Sequence, residues 1–349
     1  RLRAPAGTQV EGTEKIALRV IDLIKEEAGG ADKVELTLGL VGVHAPNYPI
    51  NLVYQWNGGS HEGVLQVQFK AGSGLDMDSL KERLRARFAR ELPSVSFSFE
   101  PSDIVSRVMS MGAPTPIEVV VGGANLADDR AFAEKLRSLL AKESALRDVQ
   151  FGQTLDYPTL EVNVDRERAG LMGVRMADVS RSLVTSTSSS RFVVPNYWAD
   201  ANSGIAYQIQ VQIPKALMSS PEELRNIGIP DRSGRNILLR NVGSVVEGSA
   251  VGEYARYNGQ RTVSVTANLA PGVDLGSAAR LVTDAIHRAG DSPAKVNVAL
   301  RGQVVPMQET LGGLRGGLLI AMGAIFLLLV ANFQSLRLAV VVISVLPAV

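Results

Sequence analysis

Phe97 and Phe99 sit two residues apart in "VSFSFE". At strand spacing both rings point to one face. They either pack on helices as core or line a pocket, since ligand pockets are largely apolar with a few polar groups. Met109 and Met111 in "SRVMSMGAPTP" offer thioether sulfurs of the kind that bind Cu(I). Methionine is more often flexible packing, and no third one lies close in sequence. The three histidines, His44, His61 and His287, lack the spacing of metal ligands. With no cysteine there is no thiolate ligand, disulfide or thiol nucleophile. Gly7, Gly122, Gly123 and Gly272 are not followed by the Lys-Ser/Thr pair of a phosphate loop. Ser188, Ser189 and Ser190 read as a polar strand start. The expectation is therefore binding rather than catalysis, with no enzyme activity, no cofactor and no metal site.

The 349 residues carry a net charge of +1 and no basic run, which leaves no electrostatic case for a nucleic-acid partner. The length suggests two or more domains. The chain starts at Arg1 rather than Met and stops at Val349 inside an apolar run, so a fragment of a longer polypeptide is expected.

The elements that must position the rings follow from periodicity. Residues 13–28 read as an amphipathic helix with Ile16, Val20, Leu23 and Ile24 on one face. Alternation marks strands at 33–43, 64–70 and 94–100, and a charged amphipathic helix spans 77–91. With a strand at 1–4, the order is strand, helix, strand, strand, helix, strand, the split βαβ or ferredoxin-like order. The same order restarts with a strand at 117–121, a helix at 126–142 and a strand at 149–152. It finishes after an insertion, with a strand at 261–269, a helix at 275–289 and a strand at 295–301. The insertion reads as a strand at 160–164 and helices at 166–171 and 176–184, with Gly170 and Gly173 marking the turn between them. A hairpin of 189–194 with 205–213 follows, then a short helix from 221 and a strand at 237–246. The hairpin tip "PNYWADANSG" is rich in turn residues and holds Tyr197 and Trp198, an aromatic pair placed for contact with a neighbour. The fold class expected is α+β. The segment "LVGVHAPNYPINLVYQWNGGSHEG", with His44, Tyr48, Tyr54 and Trp56, reads as a loop between two strands.

From 316 to 333 there is no charged residue. A helix of about 20 apolar residues spans a bilayer core of about 30 Å. The polar break Asn332, Gln334, Ser335 and Arg337 precedes a second apolar run, 338–349. Two membrane helices joined by a tight turn are expected. Arg337 favours a cytoplasmic turn, although Arg315 flanks the other end of the first run.

Four strings, in order, carry a resemblance: "RLRAPAGTQVEGTEKI", "EVNVDRERAGLMGVRMADV", "YNGQRTVSVTANLAPGVDLGSA" and "LLLVANFQSLRLAVVVISVLP". Together they resemble the second periplasmic loop of resistance-nodulation-division (RND) efflux transporters and the membrane helices after it, over essentially the whole chain. The resemblance implies a proton-driven inner-membrane permease, a homotrimer acting with a periplasmic adaptor protein and an outer-membrane channel, and a hydrophobic or amphiphilic substrate. It implies ferredoxin-like porter subdomains at 1–99 and at 100–155 with 249–301, and a docking subdomain at 156–248. It also implies a helix into and across the membrane at 302–333, a cytoplasmic turn at 334–337 and a further membrane helix from 338. In the family, aromatic residues on the strand matching Phe97 and Phe99 line a pocket, and Gln150 and Phe151 fall where the chain crosses towards the docking insert, bordering the same cleft. Multidrug members carry a basic residue near Gln150, and that departure leaves the charge preference of the substrate open. The Gly-Phe-rich mobile loop of multidrug pumps has no counterpart near His44. The resemblance places Tyr197 and Trp198 on the subdomain that faces the channel. The proton-carrying residues of the family lie in membrane helices outside these residues. Two alternatives stay open: a heavy-metal RND exporter, and a membrane-anchored periplasmic binding or assembly module without transport. The hydropathy predicts that a cysteine at Ser60 in intact spheroplasts reacts with an impermeant thiol reagent and one at Ser335 does not; the opposite labelling pattern overturns the topology.

Overall fold

A computed structural model describes residues 1–43, 57–101, 104–110, 112–291 and 296–344. His44, Tyr48, Tyr54, Trp56 and Met111 lie outside the described residues. Contacts divide the chain into two units, 1–155 with 252–349, and 156–251.

The first unit opens with β1 (Leu2–Arg3), α1 (Val10–Glu27), β2 (Val34–Val41), β3 (Glu62–Phe69), α2 (Met77–Glu91) and β4 (Ser96–Phe97). The sheet order is β2-β3-β1-β4, antiparallel throughout, which is the ferredoxin-like arrangement. Asp76 starts α2 by accepting the backbone N–H of Asp78 at 3.2 Å, and its other oxygen accepts the Ser79 hydroxyl. The apolar faces of α1 and α2 meet in a core of Val20, Leu23, Ile24, Leu80, Leu84 and Phe88. A short helix, α3 (Ile104–Met109), crosses to β5 (Ile117–Gly122), α4 (Leu126–Leu140) and β6 (Leu146–Phe151). Asn125 caps α4 on the backbone N–H of Ala127 at 3.0 Å.

The second unit then forms by itself: β7 (Tyr157–Val164), α5 (Arg166–Leu171), α6 (Met176–Thr187), β8 (Asn196–Ala199), β9 (Ala206–Ile209), α7 (Pro221–Arg225), β10 (Gly228–Pro230), β11 (Asn236–Leu238), α8 (Leu239–Val242) and β12 (Gly243–Ala250). Its core joins Ala169, Val174, Val179, Ile229, Leu239 and Val242. Ser220 and Glu223 make a reciprocal capping box at α7.

Two expectations need correction here. The first arm of the hairpin is not 189–194: Ser190–Phe192 winds into a 3-10 turn, and pairing runs from Asn196 opposite Ile209 to Ala199 opposite Ala206. Ser190 holds that turn by exchanging bonds with Val211, so the chain enters the strand later. Tyr197 and Trp198 therefore lie on a strand, and the tip is the turn held by Asp200, whose carboxylate accepts the backbone N–H groups of Asn202 and Ser203. The strand expected at 237–246 is broken by α8. Leu239 and Val242 are three apart and both fully buried, so the apolar run "ILLRNV" meets the core at helical rather than strand period.

The chain returns to the first unit with β13 (Ala255–Tyr257), β14 (Gln260–Leu269), α9 (Leu275–Arg288) and β15 (Asn297–Gly302). β6, β14, β5 and β15 lie in that order, so the second sandwich repeats the topology of the first, with β13 added to β14. Ile117, Val119, Val121, Val263, Val265 and Ala267 are buried on one face of this sheet. Glu118, Ser264, Thr266 and Asn268 take the other.

α10 (Val304–Phe333) follows β15 almost at once, and at 30 residues it is long and apolar enough to cross a membrane. Gln334 adopts a left-handed conformation (φ 48°), Ser335 caps the next helix, and α11 (Leu336–Ile343) begins two residues before the second apolar run. At the junction Gly302 has φ +89°, and a Cβ there would run into the carbonyl oxygen of Pro116. Gly272 also has positive φ (+76°) but open space around it. Gly302→Ala is expected to lower the melting temperature of the full-length protein well beyond Gly272→Ala, whose cost is the backbone penalty alone, about 1–2 kcal/mol. Equal shifts in thermal unfolding would show that the close approach to Pro116 is unimportant.

Candidate functional site

Leu2 pairs with both Gly63 and Phe97, so Phe97 shares the face of its sheet that α1 and α2 cover. The Phe97 ring stacks on Phe88 of α2 with centroids 4.3 Å apart. Phe99, just beyond the strand, lies 6.4 Å from the same ring with planes within 8°. Both rings are half-buried. With Val20, Ile24, Phe69, Leu80 and Leu84 they wall a recess of about 220 Å³ between sheet and helices. Lys81, Gln66, Ser98 and Glu100 stand among its polar lining. The space is several times the ~30 Å³ share of one water molecule, and its walls suit an apolar group. The rings are thus packed on the core and lining the recess at once.

The other face of this sheet is charged. Arg3 pairs with Glu62, whose side chain is fully buried. That carboxylate accepts Arg3 Nε at 2.5 Å, Arg1 Nη2 at 3.2 Å and the Gly58 backbone N–H at 2.6 Å. Burial pushes the Glu62 carboxyl up, but the Arg1 and Arg3 guanidiniums and the Gly58 amide outweigh it and hold it below the usual carboxylate range. Nearby, burial first and the Glu62 charge second push Glu253 up. Arg3 also donates to the carbonyls of Phe151 at 2.8 Å and Gly152 at 2.7 Å, which carries the network into the second sandwich. His61 is buried, with Nε2 2.9 Å from Thr154 Oγ1.

A second set of bonds joins the sandwiches at Asp148. This residue has φ +53°, unusual for a non-glycine, beside the point where the register of β6 on β14 shifts. Its carboxylate is 7% exposed. It accepts Arg85 Nε at 2.8 Å and Nη2 at 2.7 Å, the Phe99 backbone N–H at 3.3 Å and Asn268 Nδ2 at 2.9 Å. Asn268 Nδ2 also reaches Ser98 Oγ at 3.0 Å, and the Arg85 guanidinium lies 4.8 Å above the Phe99 ring. Neither Arg85 nor Asp148 stands out in the sequence. The available signal is an aspartate, which tolerates left-handed backbone, inside an otherwise strand-like run.

Of the residues singled out by sequence, Phe97 and Phe99 come together in the recess. Gln150 and Phe151 are not among the residues that wall it. They point to opposite faces of β6: Gln150 opposes Thr266, while Phe151 opposes Val265 and sits 5.5 Å below the Arg137 guanidinium of α4. In the second unit Tyr197 and Trp198 are 65% and 54% exposed, and Trp198 lies 6.0 Å from Tyr207 across the hairpin. Met109 is exposed on α3, and His287 is in the last turn of α9. Among the described residues no three His, Cys, Asp or Glu side chains gather as metal ligands do.

The AcrB/AcrD/AcrF family description matches residues 3–349. The chain is 24% identical to the cobalt-zinc-cadmium resistance protein CzcA of Cupriavidus metallidurans, over 74% of this chain and 24% of that one. It is 22% identical to the toluene efflux pump membrane transporter TtgB of Pseudomonas putida, over 99% of this chain and 31% of that one. In fold it resembles the crystal structure of a heavy metal efflux pump, with a TM-score of 0.80 at 22% identity, covering 99% of this chain and 35% of that one. The chain spans about a quarter to a third of the length of these relatives. Matched along nearly its whole length, the chain belongs to the AcrB/AcrD/AcrF family of RND permeases.

Proposed function

We propose that this chain forms the periplasmic part, and the adjoining membrane helices, of a proton-driven exporter of hydrophobic or amphiphilic compounds. Residues 1–99 and 100–155 with 249–301 act as porter subdomains, and 156–248 as the docking subdomain. α10 and α11 lie in the inner membrane with the bulk of the chain in the periplasm. The full-length protein works as a homotrimer with a periplasmic adaptor and an outer-membrane channel. The observation that carries the substrate reading is the recess, where Phe88, Phe97 and Phe99 present ring surface beside aliphatic side chains. Moving an apolar group from water onto such walls is favourable by about 25 cal/mol per Å² and sets no fixed geometry, which suits varied compounds. Gln150 and Phe151 serve the same path as later contacts on β6.

A metal ion as substrate is the second reading, and it draws on the relatives named for metals. The sulfur of Met109, exposed on α3, is the group that favours it.

Phe99→Ala in the full-length pump is expected to cut efflux of hydrophobic dyes several-fold at near-normal membrane abundance. Phe97→Ala removes the closer stack on Phe88 and is expected to cost up to about 3 kcal/mol of stability, seen as reduced abundance. Normal abundance with unchanged dye efflux in both variants rejects the recess as a substrate site.

The docking reading rests on the hairpin, where Tyr197, Trp198, Tyr207 and Ile209 are all exposed. A photo-cross-linker at Asn202 is expected to capture a neighbouring subunit or the channel assembly in membranes. Products confined to the same subunit count against the contact.

A further inference from the structure

We infer that Asp148 is a positioning residue which ties the aromatic wall of the recess to the joint between the two sandwiches, so that a group wedged against Phe99 loosens that joint. Phe99 takes part in three contacts at once. Its ring lines the recess. The same ring carries the Arg85 guanidinium at 4.8 Å from its centroid. Its backbone N–H donates to Asp148 at 3.3 Å. Arg85 and Asp148 are themselves a bidentate pair at 2.8 and 2.7 Å. Phe99, Arg85 and Asp148 thus form a closed triangle across the two sandwiches, and a displacement of Phe99 strains two of its sides. Ser98, between the two rings in the chain, adds a parallel link, its hydroxyl accepting from Asn268 of β14 at 3.0 Å.

The conformation of Asp148 points the same way. A non-glycine at φ +53° occupies a sparsely populated region that persists only where the surroundings over-determine it. Here the determinants are bonds from α2, from the segment after β4 and from β14. Bonds to a charged acceptor in a nearly dry setting are stronger than neutral ones, so the triangle yields as a unit rather than by degrees. The recess lies inside the first sandwich and the joint lies beside it, and Phe99 is common to both. Occupying one therefore biases the other, by linkage.

The significance of this coupling rests on the recess being where the exported compound sits; the coupling itself is read without transport. In the full-length protein, with any cysteines elsewhere replaced, Met77→Cys puts a thiol on the recess wall. It is modified either with N-phenylmaleimide or with the small reagent methyl methanethiosulfonate. Amide hydrogen exchange is then followed by mass spectrometry. The phenyl adduct is expected to speed exchange of the segments holding Phe99 and 146–152 by about tenfold, a typical size for coupling between sites. The methylthio adduct should not. Asp148→Asn keeps the shape and the tolerance for left-handed backbone but loses the charge. It should speed exchange in the same segments without any adduct and blunt the further response to the phenyl group. Unchanged exchange on phenyl modification, or in Asp148→Asn, overturns the inference. So does an equal rise in β5, which would mean general loosening. A responsive joint in a pump whose dye efflux ignores Phe99 overturns the transport reading alone. An unresponsive joint in a pump that needs Phe99 overturns the coupling alone.

Discussion

One buried carboxylate organises the first sandwich. β1 is only two residues long, yet it is an inner strand, paired on both sides through Leu2 and Arg3. So short a ladder has little hydrogen bonding of its own. Glu62 opposite Arg3 supplies what it lacks: it draws in Arg1, Arg3 and the Gly58 amide from one side of the sheet. Removing one partner of such a buried pair typically costs 3–5 kcal/mol, because the other charge is left without compensation. Arg3 does not stop at Glu62, and its remaining donors end on backbone carbonyls of the second sandwich. Strand order and the docking of two sandwiches thus share a single guanidinium.

The sheet is consequently two-sided in character. Towards α1 and α2 it shows Leu2, Leu65, Val67 and Phe97. Towards the second sandwich it shows Arg3, Glu62 and Ser98. The apolar recess opens on the first side, while the second side fixes relative position through directional bonds. Alternation along the strands makes this division automatic, since neighbouring residues cannot share a face.

Much of this was legible in the sequence. α2 runs from Met77 to Glu91 as periodicity expects, because Asp76 caps it and its apolar positions recur at helical spacing. Both βαββαβ orders, the insertion between their halves and the long apolar helix were likewise legible from pattern. Two kinds of feature were not. The 3-10 turn at Ser190–Phe192 and α8 at Leu239–Val242 depend on which neighbour the segment meets, and short apolar runs satisfy either period. The joint was hidden for a different reason. An Asp in "LRDVQF" looks like the polar member of an alternating strand, and only tertiary bonds from Arg85, Phe99 and Asn268 show that it leaves the strand conformation. Gln150 and Phe151, adjacent on β6, part to opposite faces by ordinary strand alternation.

The junction at Gly302 has a mechanical consequence. β15 ends there and α10 begins at Val304, with the Gln303 backbone N–H bonded to the Pro116 carbonyl at 3.0 Å. No slack chain separates sheet from helix. A 30-residue helix is about 45 Å long, so it acts as a lever whose short arm is built into the edge strand of the second sandwich. Tilting it by roughly 10° moves its far end by about 8 Å if the root stays fixed. If the far end is held instead, the torque arrives at the pairing of β15 with β5.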